Sequence, residues 1–492
     1  MMNPAQPLTL LTIRGEEPLG LDAWAARCAD ALDAGGRLVT LFGRGRGPAE
    51  VVTTAVLQGE SGELSVVRGR GHDGFLSITL RHPAAQMFER ELWEQTGLTP
   101  RGHPWLKPVR YEEGRQQKMT EYPFFTVRGS EVHEVGVGPI HAGVIEPGHF
   151  RFMCHGEQVH HLEIQLGYQH RGVEGLLLRR PPLSLTSLVE SIAGDSSIAY
   201  AWGYCAAVEA LSGAAIGFES DLVRGVALEL ERIAMHLGSL AGMATDIAFL
   251  QGGATYGRLR TAIINASMRA CGSRFGRGWL RPGGVRSAIG DELRRDLLKT
   301  VAAFARDVAQ VNDLMLSARS VQSRFQGVGV VKAQAARETG LVGLVARASG
   351  MFLDARERLP GRLYTDWPVK VRTEDGGDCW ARFKLRMREI DESVRWVTQV
   401  LEAQGAVLGI APVAALGPLR PDTLCVSVRE GFRGPVVQCL ETDGDGRLLH
   451  YKVQDPSLQN WFGLALAVRD NEISDFPICN KSFDLSYCGN DL

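Results

Sequence analysis

Four long stretches between residues 184 and 410 repeat apolar side chains at helical spacing, and they limit the possible folds more than any other feature. They cover residues 187–211, 221–250, 290–316 and 379–404. A repeat near every 3.6 residues gives a helix an apolar face, which is stable only when it is buried against a neighbouring element. Residues 184–410 are therefore predicted to form a mainly helical body.

The first 125 residues have the pattern of a small α+β domain. Apolar residues at helical spacing alternate there with short segments of strand-like alternation and turn residues. The predicted elements are a helix at 21–32, strands at 37–42 and 74–80, and a helix at 84–96 that ends at the glycine C-cap Gly97. No catalytic constellation is found in this part, so a docking surface is its expected role.

Strand patterns return after the helical body. Residues 436–442 and 447–453 flank Asp443-Gly-Asp-Gly, which predicts a hairpin turn and lacks the following glutamate of a calcium loop. Residues 476–492 have no periodicity and are predicted to be extended. The expected fold class is α+β, with a small α+β domain at 1–125 and a mainly helical domain with small β elements at 126–492.

The composition excludes several classes of protein. With 492 residues, 45% hydrophobic and 22% charged, the chain has the size and balance of an ordinary globular protein of two or three domains. A net charge of −2 gives no broad basic field, so nucleic acid is not an expected partner. No run approaches the ~20 apolar residues that cross a bilayer, and no secretory signal is recognised, which predicts a cytoplasmic chain.

The segment Gly138–Arg151 combines three glycines and two prolines with ionisable residues. Glycine and proline at this density exclude a regular helix and predict a shaped loop or hairpin. Such a loop holds His141, Glu146 and His149 at fixed positions beside a cavity. The alternative is an ordinary turn with scattered polar residues.

The nine cysteines are dispersed, and no two of them form a Cys-x-x-Cys pair. In a large chain predicted to be cytoplasmic, such cysteines are expected to be small buried hydrophobic residues. They are Cys28, Cys154, Cys205, Cys271, Cys379, Cys425, Cys439, Cys479 and Cys488.

Several ordered motifs resemble one known superfamily along nearly the whole chain. Residues 126–492 resemble the large subunit of membrane-bound nickel–iron hydrogenases and its relative, the quinone-site subunit of complex I. The five motifs begin at Gly138, at Gly167 (Gly-Tyr-Gln-His-Arg-Gly), at Glu231 (Glu-Arg-Ile-Ala-Met-His), at Arg281 (Arg-Pro-Gly-Gly-Val) and at Gly377 (Gly-Asp-Cys-Trp-Ala-Arg).

The N-terminal part has a resemblance of its own. Glu89-Arg-Glu-Leu-Trp-Glu-Gln-Thr-Gly and Gly102-His-Pro-Trp-Leu are similar to the signature of the thirty-kilodalton subunit of complex I. Fusion of these two parts in one chain is similar to the large subunit of formate hydrogenlyase-type complexes.

The resemblance also identifies residues that the chain lacks. The hydrogenases of this family hold nickel and iron through two Cys-x-x-Cys pairs, because soft thiolates suit these metals. The corresponding positions here carry Ala193, Ser196, Ser457 and Asn460. A nickel–iron site, any other metal site and hydrogen turnover by this chain are therefore not expected, and the resemblance implies a cavity instead.

Glu146 and His149 are predicted to be catalytic through proton transfer. The resemblance gives Glu146 the position of the family's proton-transfer glutamate, and partial burial lets a carboxylate exchange protons near neutral pH. The alternative for Glu146 is a structural glutamate bonded to the loop's own amides. His149 and His141 are each equally compatible with proton or hydrogen-bond donation and with a structural role.

Asp195 is the third predicted catalytic residue, because it lies inside the former metal motif. Its burial requires a partner, for which Arg347 and Arg281 are the candidates. The alternative is that Asp195 caps the following helix. His141, Arg347 and Ser196 are predicted to line a cavity for a quinone or another small ligand, and the alternative for Arg347 is an ordinary surface ion pair.

Three functions are compatible with these features. The leading hypothesis is a peripheral-arm subunit of a membrane-bound, ion-translocating redox complex related to complex I and hydrogenases, without nickel and iron. A second is a subunit that reduces a quinone or small acceptor. The third is a non-catalytic scaffold between iron–sulfur and membrane subunits.

The resemblance also implies partners and a location. The expected partners are a small iron–sulfur subunit, which carries the cluster, and antiporter-like and other membrane subunits in a hetero-oligomeric complex. No cofactor is expected to be bound directly, apart from a possible quinone. The expected location is the cytoplasmic side of the cell membrane, reached through partner subunits.

Overall fold

The computed structural model describes residues 7–45, 50–112, 118–127, 129, 131–403, 408 and 413–492. Helices and several small sheets alternate along these residues, so the predicted α+β fold class is confirmed. None of the helices in these ranges is long and apolar enough to cross a membrane.

The N-terminal part combines small sheets with two helices. Its elements are β1 (Leu8–Thr12), β2 (Leu19–Gly20), α1 (Leu21–Asp33), β3 (Arg37–Arg44), β4 (Val51–Gln58), β5 (Leu64–Gly71), β6 (Phe75–Leu76), α2 (Gln86–Thr96) and β7 (Pro100–Arg101). The main sheet has the order β2-β5-β4-β3, and α1 packs on β5 through the fully buried Trp24. Gly97 adopts the left-handed conformation at the end of α2, as the sequence predicts.

The strand predicted at 74–80 is wrong over most of its length. Only Phe75 and Leu76 form a strand, and Ile78–Leu80 is a short 3-10 helix. The carboxylate of Glu89 accepts hydrogen bonds from the amides of Ile78 (2.7 Å) and Thr79 (3.3 Å). Because a side chain takes these amides, they are not available to a neighbouring strand.

A three-stranded antiparallel sheet and the helical body follow. Their elements are β8 (Val132–Val137), β9 (His149–His155), β10 (Gln158–Gln165), α3 (Val173–Leu178), α4 (Thr186–Val189), α5 (Ser197–Ser212), α6 (Phe218–Asp246), α7 (Leu250–Cys271), β11 (Leu280–Arg281), β12 (Gly284–Val285), α8 (Asp291–Ser317), α9 (Arg319–Phe325), α10 (Ala333–Glu338), α11 (Gly343–Ala348), α12 (Ala355–Arg358), α13 (Gly361–Asp366) and α14 (Cys379–Ala403). Helix α6 packs against α7 and α14 at the centre of this body.

The first predicted long helix, 187–211, is interrupted. It consists of α4 and α5, and residues 190–196 between them form turns around Gly194 and Asp195. The other three predicted helices match α6, α8 and α14, although α6 ends at Asp246 and a separate helix, α7, follows it.

The C-terminal part contains a second sheet, of order β1-β13-β14-β15, and three helices. Its elements are β13 (Thr423–Glu430), β14 (Pro435–Thr442), β15 (Leu448–Gln454), α15 (Ser457–Ala467), α16 (Phe476–Phe483) and α17 (Tyr487–Asp491). The hairpin at Asp443 joins β14 to β15 as predicted. Strand β1 pairs with β13, so the first residues of the chain contribute to this sheet, and the domain division at residue 125 stays a prediction.

The prediction of an extended segment at 476–492 is wrong. Residues Phe476, Ile478, Cys479 and Phe483 on α16 and Tyr487 on α17 are buried in the main core. Both helices are too short for their periodicity to be recognised, and tertiary burial stabilises them.

Candidate functional site

The loop of residues 138–148 connects β8 to β9 and is braced by its own two histidines. His141 Nε2 lies 2.8 Å from the carbonyl oxygen of Gly148, and His149 Nδ1 lies 3.0 Å from that of Gly138. The ring of His149 also contacts Phe124 edge-on. Both histidines therefore fix the shape of the loop, and each keeps one ring nitrogen for other contacts.

Glu146 lies on the side of this loop that faces α17. Its negative charge, after burial, raises the pKa of the Cys488 thiol to about 11, and it adds to the burial that raises the pKa of Tyr487 to about 12. None of the loop amides in the described ranges donates to the Glu146 carboxylate. The structure therefore favours a half-buried carboxylate directed toward α17 over a glutamate bonded within its own loop.

Asp195 lies just before α5 and is bound by Arg433, which belongs to the turn between β13 and β14. The guanidinium of Arg433 donates from both terminal nitrogens, at 2.8 and 2.7 Å, to the two carboxylate oxygens of Asp195. Burial opposes ionisation of Asp195, but the charge and hydrogen bonds of Arg433 hold its pKa below the ordinary value. The predicted pairing of Asp195 with Arg347 or Arg281 is wrong.

The alternative of a helix cap is not seen either. Ser196 occupies the N-cap position of α5, and no side chain accepts a capping bond there. The hydroxyl of Ser196 instead donates to Asp195 over a long distance of 3.4 Å. Asp195 is thus held by an ion pair between distant parts of the chain.

A second pair lies one helical turn along α5. The hydroxyl of Tyr200 donates to Asp455 Oδ2 at 2.6 Å, and both residues are buried. Arg433 also donates from Nε to the carbonyl oxygen of Asp484, which precedes α17. Arg433 and Tyr200 therefore connect α5 to the segments around Asp455 and Asp484.

Cys488 joins these pairs to the loop. Burial first and Glu146 second raise its pKa, and Asp195 and Arg433 act on it in opposite directions. We call the six residues that are linked in this way the central polar cluster. Its members are Glu146, Asp195, Tyr200, Arg433, Asp455 and Cys488.

Glu231, from the third motif, contacts the start of α5 from α6. Its carboxyl group accepts hydrogen bonds from the amides of Ile198 (2.7 Å) and Ala199 (3.3 Å). Burial is the main cause that raises the pKa of Glu231 to about 8; these hydrogen bonds oppose the increase, and the charge of Asp195 contributes to it. A carboxyl group that gains and loses a proton near neutral pH is therefore present beside Asp195.

Arg347 is fully buried and belongs to a different network. Its guanidinium forms ion pairs with Glu389 (2.8 Å), Glu430 (2.7 Å) and Asp354 (3.5 Å). His236 adds a contact of 2.9 Å to Glu389. The alternative of a surface ion pair is wrong, and Arg347 acts here as a tie between α11, α14 and β13.

The four positions that the resemblance assigns to metal-binding thiolates do not suit nickel and iron. Ala193 offers no donor atom, and the hydroxyl of Ser196 is directed to Asp195. The hydroxyl of Ser457 accepts a bond from the amide of Ser486, and both amide atoms of Asn460 bond to the backbone of Val342. Since no thiolate is present and the polar atoms already have partners, no soft-metal ligand set exists at these positions.

An open cavity of about 480 Å³ adjoins Asp195. Its lining includes Gly194, Asp195, and the side chains of Arg260, Arg274 and Arg277, and none of residues 138–151 contributes to it. This cavity lies on the α7 side of Asp195, and His141, Ser196 and Arg347, predicted to line a cavity, do not line it. The loop packs against α17 instead.

Sequence reasoning identified Glu146 and Asp195 but missed Arg433, Cys488 and the role of Tyr200. Arg433 stands between glycines in Gly431-Phe-Arg-Gly, where an arginine in a tight hairpin turn is a weak signal of a specific partner. Cys488 gave no signal, because the segment around it was interpreted as extended.

Comparisons with known proteins agree with the motifs. The family model described as "Respiratory-chain NADH dehydrogenase, 49 Kd subunit" matches residues 246–410. Hydrogenase-4 component G of Escherichia coli is 28% identical over 84% of this chain and 75% of the relative, and formate hydrogenlyase subunit 5 of the same organism is 28% identical over 84% and 76%. A subunit of the NADH-quinone oxidoreductase of Dehalococcoides mccartyi is 28% identical over 71% of this chain and 96% of the relative.

A solved structure supports the same fold. A chain of the membrane-bound sulfane sulfur reductase, an archaeal respiratory membrane complex, aligns with a TM-score of 0.68 at 22% identity, covering 74% of this chain and 99% of that chain. At this identity the alignment speaks for the fold alone. Together, the sequence matches and this fold confirm the resemblance of the chain to the superfamily of nickel–iron hydrogenase large subunits and the 49 kDa subunits of complex I.

Proposed function

We propose that this chain is a peripheral subunit of a membrane-bound, ion-translocating redox complex related to complex I and membrane-bound hydrogenases, and that it functions without nickel and iron. Its relatives are named as subunits of formate hydrogenlyase, hydrogenase-4, a membrane-bound hydrogenase and NADH-quinone oxidoreductase. The observation that supports function without nickel and iron is the ion pair of Asp195 with Arg433, which lies directly beside Ser196.

The central polar cluster supports a role in coupling. An electron that arrives at an iron–sulfur cluster in a partner subunit changes the local charge, and buried or half-buried ion pairs respond strongly to such a change. Asp195 and Arg433 are a half-buried pair, and Glu231 beside them has a pKa of about 8. In the proposed mechanism, reduction of the partner would favour protonation of Glu231, and reoxidation would release that proton while Asp195 stays ionised in its pair with Arg433.

The partners and location follow from the same proposal. A small iron–sulfur subunit supplies the electrons, and antiporter-like membrane subunits carry the ion. The chain is then held at the cytoplasmic side of the membrane by these partners. The arginines around the cavity beside Asp195 provide a basic surface for contact with the iron–sulfur subunit.

Purification of the tagged chain from its native membranes tests the assignment. We expect integral membrane subunits and a small iron–sulfur protein to copurify, with iron present and nickel far below one atom per chain by elemental analysis. Stoichiometric nickel in the purified complex, or recovery of the chain without any membrane subunit, contradicts the proposal.

The coupling residues are tested in the same complex. We expect Glu231→Gln and Glu146→Gln to reduce ion translocation into sealed native vesicles at least several-fold while the subunits still copurify. Glu292→Gln on the exposed side of α8 is the matched control and is expected to leave translocation unchanged. Normal translocation in both Glu231→Gln and Glu146→Gln contradicts a coupling role for these two residues.

Reduction of a quinone or another small acceptor is the second candidate, and the open cavity beside Asp195 favours it. An anionic or carbonyl-bearing acceptor suits a cavity lined by Arg260, Arg274 and Arg277. The test is reduction of decylubiquinone by the dithionite-reduced complex, with Arg277→Gln against the exposed Arg306→Gln as control. Equal rates in the two variants speak against acceptor binding at this cavity.

A further inference from the structure

Two buried cysteines, Cys379 at the start of α14 and Cys479 on α16, lie side by side in the main core. A Cβ atom at Gly329 would lie 2.7 Å from Cys479 Sγ and 3.5 Å from Cys379 Sγ, so the two sulfur atoms are closer together than the sum of these distances. Both side chains are fully buried, and both thiols are free in this structure. Two distant segments of the chain thus bring a pair of thiols together.

A buried arginine lies beside Cys379. Arg382 is fully buried, and its guanidinium donates to the carbonyl oxygens of Gly377 (2.8 Å) and Gly329 (2.9 Å) and to the hydroxyl of Ser482 (2.8 Å). Its Nη2 also lies 3.5 Å from Cys379 Sγ. No carboxylate among the residues that the structure describes forms an ion pair with Arg382. Because a buried cation stabilises a negative charge beside it, the environment of Cys379 favours the thiolate over the thiol.

Electrostatics distinguish Cys379 from the other cysteines, all nine of which lie in the described ranges. Burial opposes the ionisation of Cys379, but the hydrogen bond from Cys479 and the charge of Arg382 lower its pKa to about 6. The same hydrogen bond, followed by burial, raises the pKa of Cys479. Burial raises the pKa of the remaining cysteines, which are Cys28, Cys154, Cys205, Cys271, Cys425, Cys439 and Cys488. Cys379 is therefore the nucleophile of the pair, and Cys479 is its proton donor.

The loop between α9 and α10 covers the two thiols. Gly327 and Val330 of this loop are exposed, whereas Gly329 between them is buried against both sulfur atoms. Gly329 has no side chain, so the loop covers the sulfurs at this point with backbone alone. Local opening of a surface loop costs less free energy than global unfolding, and it admits small molecules to buried groups.

We propose that Cys379 and Cys479 form a disulfide when the folded chain meets hydrogen peroxide. Cys379 attacks one peroxide oxygen, the O–O bond breaks, and Cys379 becomes a sulfenic acid while the other oxygen leaves as hydroxide and is protonated to water. The sulfur of Cys479 then attacks the sulfenic sulfur, so that the S–S bond forms and the S–O bond breaks. The departing hydroxide takes the Cys479 proton and leaves as a second water. The pair is oxidised by two electrons, and the peroxide is reduced by the same two.

The disulfide ties α14 to α16 and is reversed by thiols. Neither cysteine belongs to the central polar cluster, so the site is separate from the coupling function and does not depend on it.

Peptide mapping of the full chain tests the proposal. The reduced chain is treated with hydrogen peroxide, its remaining thiols are blocked with N-ethylmaleimide, and it is digested without a reductant. We expect a peptide pair linked through Cys379 and Cys479 and the loss of two of the nine thiols. Dithiothreitol is expected to restore both thiols.

The Cys479→Ser variant identifies the attacking sulfur. Without Cys479 the sulfenic acid at Cys379 has no thiol partner, so we expect dimedone to label Cys379 after peroxide treatment. In Cys379→Ser we expect Cys479 to stay unlabelled. If either variant fails to fold, the linked peptide in the parent chain decides the question.

Cys271 is the matched control within the same chain. Its side chain is more exposed than that of Cys379, but burial raises its pKa, and its sulfur contacts the carbonyl oxygens of Ser267 and Ser273. We expect dimedone to label Cys271 at least 10-fold more slowly than Cys379 in the Cys479→Ser variant.

Three results overturn the proposal. The first is the absence of a Cys379–Cys479 peptide after peroxide treatment of the parent chain, and the second is faster labelling of Cys271 than of Cys379. The third is a bond that forms only after unfolding in urea, because the folded chain then shields the pair from peroxide.

Discussion

Arg433 binds Asp195 through two parallel hydrogen bonds of 2.8 and 2.7 Å, although 238 residues of chain separate them. This fork geometry is the strongest arrangement between an arginine and a carboxylate. It joins the turn after β13 to the start of α5, next to positions that hold metal-binding thiolates in the hydrogenases this chain resembles. In the region that corresponds to the metal site of those hydrogenases, this chain therefore has an ion pair.

The first prediction concerns the strength of this pair. Asp195→Asn and Arg433→Met are each expected to destabilise the chain by ~1–3 kcal/mol, with Arg433→Met the more harmful because it also loses the carbonyl of Asp484. The side chain of Asp195 is 37% exposed, so solvent screening keeps the effect below that of a fully buried pair. Urea unfolding of the single and double variants measures the coupling energy, and strict additivity contradicts a direct pair.

The second prediction concerns Arg347. Arg347→Met leaves Glu389, Glu430 and Asp354 without their shared cation in the core, and we expect a loss of ~3–5 kcal/mol. Arg258→Met, which breaks an exposed ion pair with Asp307, is the control and is expected to change stability by less than ~1 kcal/mol. Thermal unfolding of both variants is the measurement, and similar midpoints contradict a structural role for the Arg347 network.

The third prediction is a pH dependence that originates at Glu231. Its pKa is raised from 4.5 to about 8 in the folded chain, so the folded state binds more protons than the unfolded state between these values. This contribution to stability is complete below the unfolded pKa and is lost as the pH rises through 8, with a slope of at most about 1.4 kcal/mol per pH unit.

Glu231→Gln removes this dependence. Relative to the parent chain, the variant is therefore expected to gain stability steadily as the pH rises from 5 to about 8 in urea titrations, and the difference is expected to level off above that pH. Glu292→Gln, on the exposed side of α8, serves as control and is expected to follow the parent chain. A constant difference between Glu231→Gln and the parent across this range is incompatible with a raised pKa.

Elements with long apolar repeats could be predicted from the sequence. The helices predicted at 290–316 and 379–404 correspond to α8, Asp291–Ser317, and α14, Cys379–Ala403. Helical periodicity gave a wrong prediction at 187–211, where turns around Gly194 and Asp195 separate α4 from α5. It also failed at 476–492, because burial against the core stabilises helices of eight residues or fewer there.

The candidate site could be predicted only in part, because local motifs reveal some of its residues and not their distant partners. Motif positions identified Glu146 and Asp195, since both lie in local patterns that the superfamily shares. Their partners Arg433 and Cys488 come from distant segments, and a local pattern contains no information about which distant side chain supplies a charge. The predicted partners of Asp195, Arg347 and Arg281, are wrong, because nothing in the local sequence distinguishes Arg433 in its hairpin turn from the other arginines.

The last prediction concerns the contact between the loop and α17, on which the position of Glu146 depends. A Cβ atom at Gly148 meets Tyr487 Cε1 at 2.8 Å and Leu166 Cδ2 at 3.1 Å. Gly148→Ala is therefore expected to push the loop away from α17 and to destabilise the chain by ~1–3 kcal/mol.

Gly257→Ala is the matched control. No atom lies within 4 Å of a Cβ at this position in α7, so the variant is expected to gain ~0.5–1 kcal/mol from the higher helix propensity of alanine. Thermal unfolding compares the two variants. Hydrogen exchange of the amides in β9 and α17 then reports where the damage lies, and faster exchange is expected in Gly148→Ala only. Equal exchange in both variants means that the loop does not depend on Tyr487, and Glu146 is then not held beside Cys488 by this contact.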